Sequence, residues 1–181
     1  MNNKKIFDDV YKDFFGIEPL LEINNENSKE EPADMVDLFK KVEELQITDE
    51  SRNLLKQIIE YMRKFNEKIE TNYIYFNLII DSPSTKLSKE IINIINSASN
   101  LYKYVDNTGY RKLSLLHYDK NININDLYNN GVIVISDLKG FNLLDDIDKN
   151  KVISDLLENI SMYKTITIIA DEADLIDDFL L

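Results

Sequence analysis

Tyr73-Ile74-Tyr75-Phe76-Asn77-Leu78-Ile79-Ile80-Asp81-Ser82-Pro83-Ser84-Thr85-Lys86-Leu87-Ser88 is the stretch that decides how this chain is read. Residues 73–80 form a short apolar run rich in aromatic and β-branched side chains, which is the composition of a buried strand. Residues 81–88 are small and polar with a proline among them, and from Leu87 onward Ile91, Ile95 and Ala98 recur at helical spacing. A strand, a tight loop and a helix therefore follow one another without interruption.

A phosphate-binding loop, G-x-x-x-x-G-K-[ST], wraps a triphosphate in that same context. Aligned with it, Asp81 stands at the first glycine, Pro83, Ser84 and Thr85 among the free positions, Lys86 at the second glycine and Leu87 at the phosphate lysine. Ser88 alone matches. Sliding the register so that Lys86 becomes the phosphate lysine puts Leu87 where the Mg²⁺-binding hydroxyl belongs. The chain has four glycines, at 16, 109, 131 and 140, and none is in the loop. A phosphate cradle needs backbone that approaches the anion closely and points successive N–H groups at it, a geometry that glycine permits. The helix N-terminus still offers N–H groups and a partial positive charge, while Asp81 repels the same anion.

Outward from this unit the chain alternates. Residues 131–136, GVIVIS, and 165–170, TITIIA, are further strands of continuous apolar type, separated by a helix at 145–160 with Ile153, Leu156, Leu157 and Ile160 expected to face inward. Another helix begins after Asp171. Residues 101–106 and 110–118 read as extended segments around the turn signature Asn107-Thr108-Gly109. Upstream, a short helix at 35–45 leads to a longer one at 49–68. Thr48 suits its cap, Asp49 and Glu50 suit the positive end of its dipole, and Leu55, Ile58, Ile59 and Met62 form one apolar stripe. Apolar strands alternating with amphipathic helices predict an α/β fold, a mainly parallel sheet with helices on both faces. The expected organisation is an N-terminal helical segment at 1–21, an acidic linker at 22–34 and one α/β domain at 35–181.

Composition narrows the function. Lys+Arg number 21 against 33 Asp+Glu, a net charge of −12. Such a surface is of the wrong sign for direct contact with a phosphate backbone, so no nucleic-acid partner is expected, and a basic protein partner suits it better. Without cysteine there is neither a disulfide framework nor a thiolate metal site. No apolar run approaches the roughly 18 residues of a membrane span, and the polar start is not a signal peptide, so the expected setting is cytoplasmic with no membrane contact. His117, the only histidine, lies on a probable strand and supports no nucleophilic triad. Asp145, Asp146 and Asp148 sit where a helix start favours acids. Tyr73, Tyr75, Tyr102, Tyr104 and Tyr110 cluster on the segments read as extended.

Taken together, the strand and loop at 73–88, GVIVISDLKGF at 131–141, the helix at 145–160 and TITIIADEADLIDDFLL at 165–181 resemble the AAA+ ATPase core, in particular its CbxX, rubisco-activase-like branch. The resemblance covers about residues 45–181 and implies a three-layer P-loop-NTPase-like fold. In it Ser136 takes the place of the Walker B aspartate that orders Mg²⁺, Asp137 that of the glutamate that activates water, and the sensor position falls near Ala170 and Asp171. The family's arginine finger and helical lid follow the sensor strand, and the sequence stops at Leu181. Each missing part supplies positioning or charge stabilisation that the others do not. The resemblance therefore implies a non-catalytic pseudo-ATPase with no bound cofactor or metal, acting as a protein-interaction or scaffold module. The alternative is an ATP/Mg²⁺-binding domain with atypical motifs completed by a missing region or a neighbouring subunit. A sheet edge that a further strand covers in that family is expected to self-associate or to receive a protein partner. Asp171-Glu172-Ala173-Asp174 also spells the DEAD-box helicase string, but the glycine-rich loop and the arginine and threonine motifs that contact RNA in that family are missing.

Overall fold

In the computed structural model, residues 35–82, 84–121, 123–128, 130–160 and 164–180 are described. The helical segment expected at 1–21, the linker at 22–34 and Pro83 lie outside the described residues. Among the described residues no helix is long and apolar enough to cross a membrane.

Among the described residues the first elements are two helices, α1 (Met35–Glu44) and α2 (Asp49–Asn66). Thr48 caps α2 by accepting a hydrogen bond from the Ser51 N–H at 3.2 Å, and Leu55, Ile58, Ile59 and Met62 are its buried face, as the spacing predicts. β1 (Phe76–Asp81) runs into α3 (Thr85–Leu101), followed by β2 (Tyr110–Ser114), a 3₁₀ turn (Leu115–His117) and the short α4 (Asn125–Tyr128). β3 (Val132–Ser136) leads through a second 3₁₀ segment (Leu138–Leu143) to α5 (Asp146–Asn159), β4 (Ile166–Asp171) and α6 (Ala173–Leu180).

Among the described residues four strands form one sheet in the order β1-β4-β3-β2, every pairing parallel. The chain crosses the whole sheet after β1 and then steps back toward it through β3 and β4. Because parallel crossovers are right-handed, reversing direction changes the face on which the connection lies. Two separate cores result. On one face Leu38, Ile59, Met62 and Ile95 pack against Ile80, Val134, Ile166 and Ile168. On the other, Ile124, Val152, Leu156 and Ile176 pack against Leu113, Ile133 and Ile135. The expected α/β class and the two-sided parallel sheet are present.

Several local expectations are corrected. Residues 101–106 are not extended: Leu101 ends α3, the Tyr104 N–H bonds to the Ser99 carbonyl and the Lys103 N–H to the Asn100 carbonyl. This is a Schellman C-cap with Lys103 at φ 51° in the position that glycine usually fills, so no glycine advertised the stop. The segment 110–118 is strand only as far as Ser114. In α5 the inward residues are Val152 and Leu156, while Ile153 and Leu157 are exposed. β1 is not buried on both faces; it alternates, with Ile80 inside and Asn77, Ile79 and Asp81 outside, because it is an edge strand.

The tyrosines divide likewise. Tyr104 is fully buried at the centre of an aromatic group, stacked on Tyr73 at 4.8 Å and touching Phe65 and Phe76 at 5.2 and 5.4 Å between ring centroids. Its hydroxyl donates to the Ile74 carbonyl at 2.6 Å and accepts from the Ile74 N–H at 3.2 Å. Packing of the lead-in to β1 accounts for Tyr73 and Tyr104.

Candidate functional site

In an open parallel sheet the carboxyl ends of the strands and the N-termini of the following helices meet at one rim, and ligands bind where the strand order reverses. Here that rim carries a cleft of about 240 Å³, whose polar lining includes Ser82, Ser88, Lys89, Lys112, Ser136 and Asp137. Pockets that enclose a drug-sized ligand run from about 300 to 1,000 Å³. The cleft lies just below that range and is open on one side.

The loop after β1 is closed on itself. Ser82 is fixed to the sheet by its N–H, which donates to the Asp171 carbonyl at 3.2 Å. Its Oγ accepts from the Ser84 N–H at 3.1 Å and donates to the Ser84 carbonyl at 3.3 Å. Ser84 is the N-cap of α3: its Oγ accepts from the Leu87 N–H at 3.3 Å and its carbonyl from the Ser88 N–H at 3.0 Å. The Ser84 and Leu87 N–H groups are thus held by the loop's own serines. Lys86 is 86% exposed, with its Nζ 3.9 Å from Glu90 one turn along the helix. Leu87 packs partly buried against the first core, which is where its apolar side chain gains most.

At the end of β3, the buried Ser136 hydroxyl donates to the Asp137 carboxylate at 3.1 Å. Asp137 has left-handed backbone, φ 57° and ψ 46°, a region in which Asp and Asn are the least strained non-glycine residues. Lys112 Nζ on β2 stands 3.7 Å from the same carboxylate. Partial burial works to raise the Asp137 carboxyl, but the neighbouring Ser114 and Ser136 hydroxyls and the Lys112 ammonium outweigh it, so it lies below the ordinary carboxylate value. The Ser114 Oγ acts by proximity, since it lies outside hydrogen-bonding geometry.

Asp171, on β4, is also occupied. One carboxylate oxygen accepts from the Leu138 N–H at 2.7 Å and the other from the Glu172 N–H at 2.9 Å. It ties the segment after β3 to the end of β4. That accounts for an acid at the start of the DEAD string without a metal.

Of the residues singled out in the sequence, Ser82's neighbours Thr85 and Ser88 reach the cleft together with Ser136, Asp137 and Asp171. Asp81, Lys86 and Leu87 are not among its lining residues, and Ser84 acts as a cap. Lys89 and Lys112 line it unforeseen: no motif marks them, and Lys112 reaches Asp137 only because β2 lies beside β3, while Tyr110, one of the clustered tyrosines in the sequence, lines it too. His117 is exposed in the 3₁₀ turn after β2. Asp145 caps α5 by accepting from the Asp148 N–H at 2.8 Å. Among the described residues no group of three or more His, Asp or Glu side chains is placed to hold a metal ion.

A depressed carboxyl stabilises the fold above its unfolded value, and that contribution is lost as pH falls through its folded value. Asp137→Asn keeps the left-handed backbone accessible but cannot ionise. Its loss of stability on going from pH 7 to about pH 3.5, across the ordinary carboxylate value of about 3.9, should therefore be smaller than that of the parent chain. Urea midpoints at the two pH values measure this; equal losses would show that the Asp137 charge contributes nothing.

Neither protein-family models nor curated proteins give any match to the chain.

Proposed function

We propose that this chain is a non-hydrolysing module on an AAA+-like, P-loop-NTPase-like scaffold, and that its work is contact with other proteins. The observation that carries the reading is the self-closure of the loop at 81–88: Ser82 and Ser84 take up loop N–H groups, and Lys86 extends away to Glu90. Phosphoryl transfer is almost entirely positioning and charge stabilisation. Here a leucine packed against the first core stands at the phosphate lysine, a serine bonded to its neighbour stands at the Walker B aspartate, and the adjacent carboxylate lies 3.7 Å from the Lys112 Nζ. The sensor-position acid Asp171 serves as a backbone tie. An acidic surface of net charge −12 supports a basic protein as the partner.

Titration calorimetry with ATP and ADP, with and without Mg²⁺, is expected to show no affinity tighter than about millimolar, a level worth about 4 kcal/mol. A parallel assay should show no hydrolysis. Leu87→Lys alone is expected not to rescue either, because the loop would still lack glycines and the metal its ligand. Micromolar Mg²⁺-dependent binding would overturn the reading in favour of the alternative, an atypical nucleotide site completed elsewhere. One observation favours that alternative: two lysines, Lys89 and Lys112, line the cleft.

A further inference from the structure

We propose that the open edge of β1 is a strand-addition site that takes an extended segment of a protein partner, apolar opposite Ile79 and basic opposite Asp81. This rests on the reading of the chain as a protein-contact module. Among the described residues β1 pairs on one side only, with β4, in continuous register from Phe76↔Ile166 to Asp81↔Asp171. The Ser82 N–H donates to the Asp171 carbonyl, which fixes the direction of the ladder. In a parallel pair alternate residues send both backbone groups to the same neighbour. Leu78 and Ile80 therefore address β4, and Asn77, Ile79 and Asp81 turn their N–H and C=O groups to the open side.

The two edges of the sheet are built differently. β2, at the far edge, carries Arg111 and Lys112, and Arg111 reaches across to the Asp126 carbonyl at 2.5 Å. Charged side chains and covering segments are the usual means of keeping an edge from pairing. β1, Phe-Asn-Leu-Ile-Ile-Asp, contains no lysine, arginine, proline or break in register. Ile79 is 56% exposed beside its register partner Ile169, and the exposed Ile74 and Tyr75 lead into the strand.

Charge selects the occupant. Residues two apart on a strand share a face, so a cross-strand neighbour of Ile79 lies two residues from that of Asp81, which is also exposed. An apolar residue and a lysine or arginine at alternate positions satisfy both. A second copy would instead bring another net −12 to the same edge. Main-chain pairing then supplies affinity and the alternating side chains supply selection.

The test is residue-resolved amide exchange on the whole chain, with an end-blocked hexapeptide of alternating lysine and valine as probe. In the free chain the Asn77, Ile79 and Asp81 amides should exchange faster than those of Leu78, Ile80 and Ser82, and millimolar peptide should slow the first three by about tenfold or more. Ile79→Pro should abolish that slowing while leaving the β4 pairing intact, since the lost N–H faces outward. Ile79→Lys, which leaves the backbone untouched, should weaken it by charge repulsion and keeps the test open if the proline variant does not fold. No slowing at millimolar peptide, or slowing unchanged in the lysine variant, overturns the proposal. Protection already present in the free chain also overturns it: a concentration-dependent form would identify a second copy as the occupant, and a concentration-independent form a segment of the same chain. None of these readouts involves nucleotide, so failure here leaves the non-hydrolysing reading standing, and nucleotide binding would not by itself close the edge.

Discussion

Tyr104→Ala should lower the free energy of unfolding by about 3–5 kcal/mol, the cost of removing a fully buried aromatic side chain from a core. Tyr104 is fully buried, touches Tyr73, Phe65 and Phe76, and its hydroxyl makes both hydrogen bonds to the backbone of Ile74. Truncation leaves a cavity and two backbone groups without their partner. Tyr104→Phe separates the contributions: it keeps the ring and should cost about 0.5–1.5 kcal/mol, the net range for a hydrogen bond, because the exposed Ile74 can turn its backbone groups to water. Domains of this size are stable by only about 5–15 kcal/mol, so the alanine variant should be visibly less stable at room temperature. Urea unfolding with an unchanged slope is the measurement. A loss below about 1 kcal/mol for the alanine variant, the level of an ordinary surface change, would show that Tyr104 does not anchor the lead-in to β1.

Gly140→Ala should be at least as damaging, and for a different reason. A Cβ at position 140 would lie 2.1 Å from the Leu115 carbonyl carbon and from the Leu116 nitrogen, both backbone atoms. The two 3₁₀ segments, Leu115–His117 and Leu138–Leu143, therefore lie too close for any side chain between them. Ordinary overpacking costs about 1–3 kcal/mol because side chains can shift; here backbone must move, and the loss should reach or exceed the top of that range. Those segments continue directly from β2 and β3, so separating them should also move Lys112 away from Asp137. Gly131→Ala is the control. Its Cβ would meet Asn107 Cβ at 3.5 Å, an ordinary contact, and it should cost less than about 1 kcal/mol. Equal effects of the two substitutions on thermal unfolding would refute close backbone approach as the reason for Gly140.

The legible parts of the sequence were those with a local physical signature. Thr48 ahead of Asp49 and Glu50, followed by Leu55, Ile58, Ile59 and Met62, specified a capped amphipathic helix, and the structure has it. The apolar runs at 131–136 and 165–170 specified central strands because both faces of a central parallel strand must be apolar, and β3 and β4 occupy the middle of the sheet. Lys103 concealed a helix stop, since a left-handed cap normally shows itself as glycine or asparagine. β1 concealed its own exposure: an apolar run has the same composition whether or not a neighbour covers it.

For the site, the sequence by itself determined what the loop after β1 lacks, because glycine and lysine requirements are properties of single residues. It could not determine what the residues of that loop and of the neighbouring strand ends contact. Only the tertiary structure decided that Ser82 and Ser84 close the loop, that Lys112 meets Asp137 and that Asp171 holds Leu138. The strand order brings these residues together from four separate stretches of chain, and a contact between distant segments leaves no periodicity in either of them. For the same reason only the sheet order, and not the sequence of β1, left its outer edge without a neighbour among the described residues.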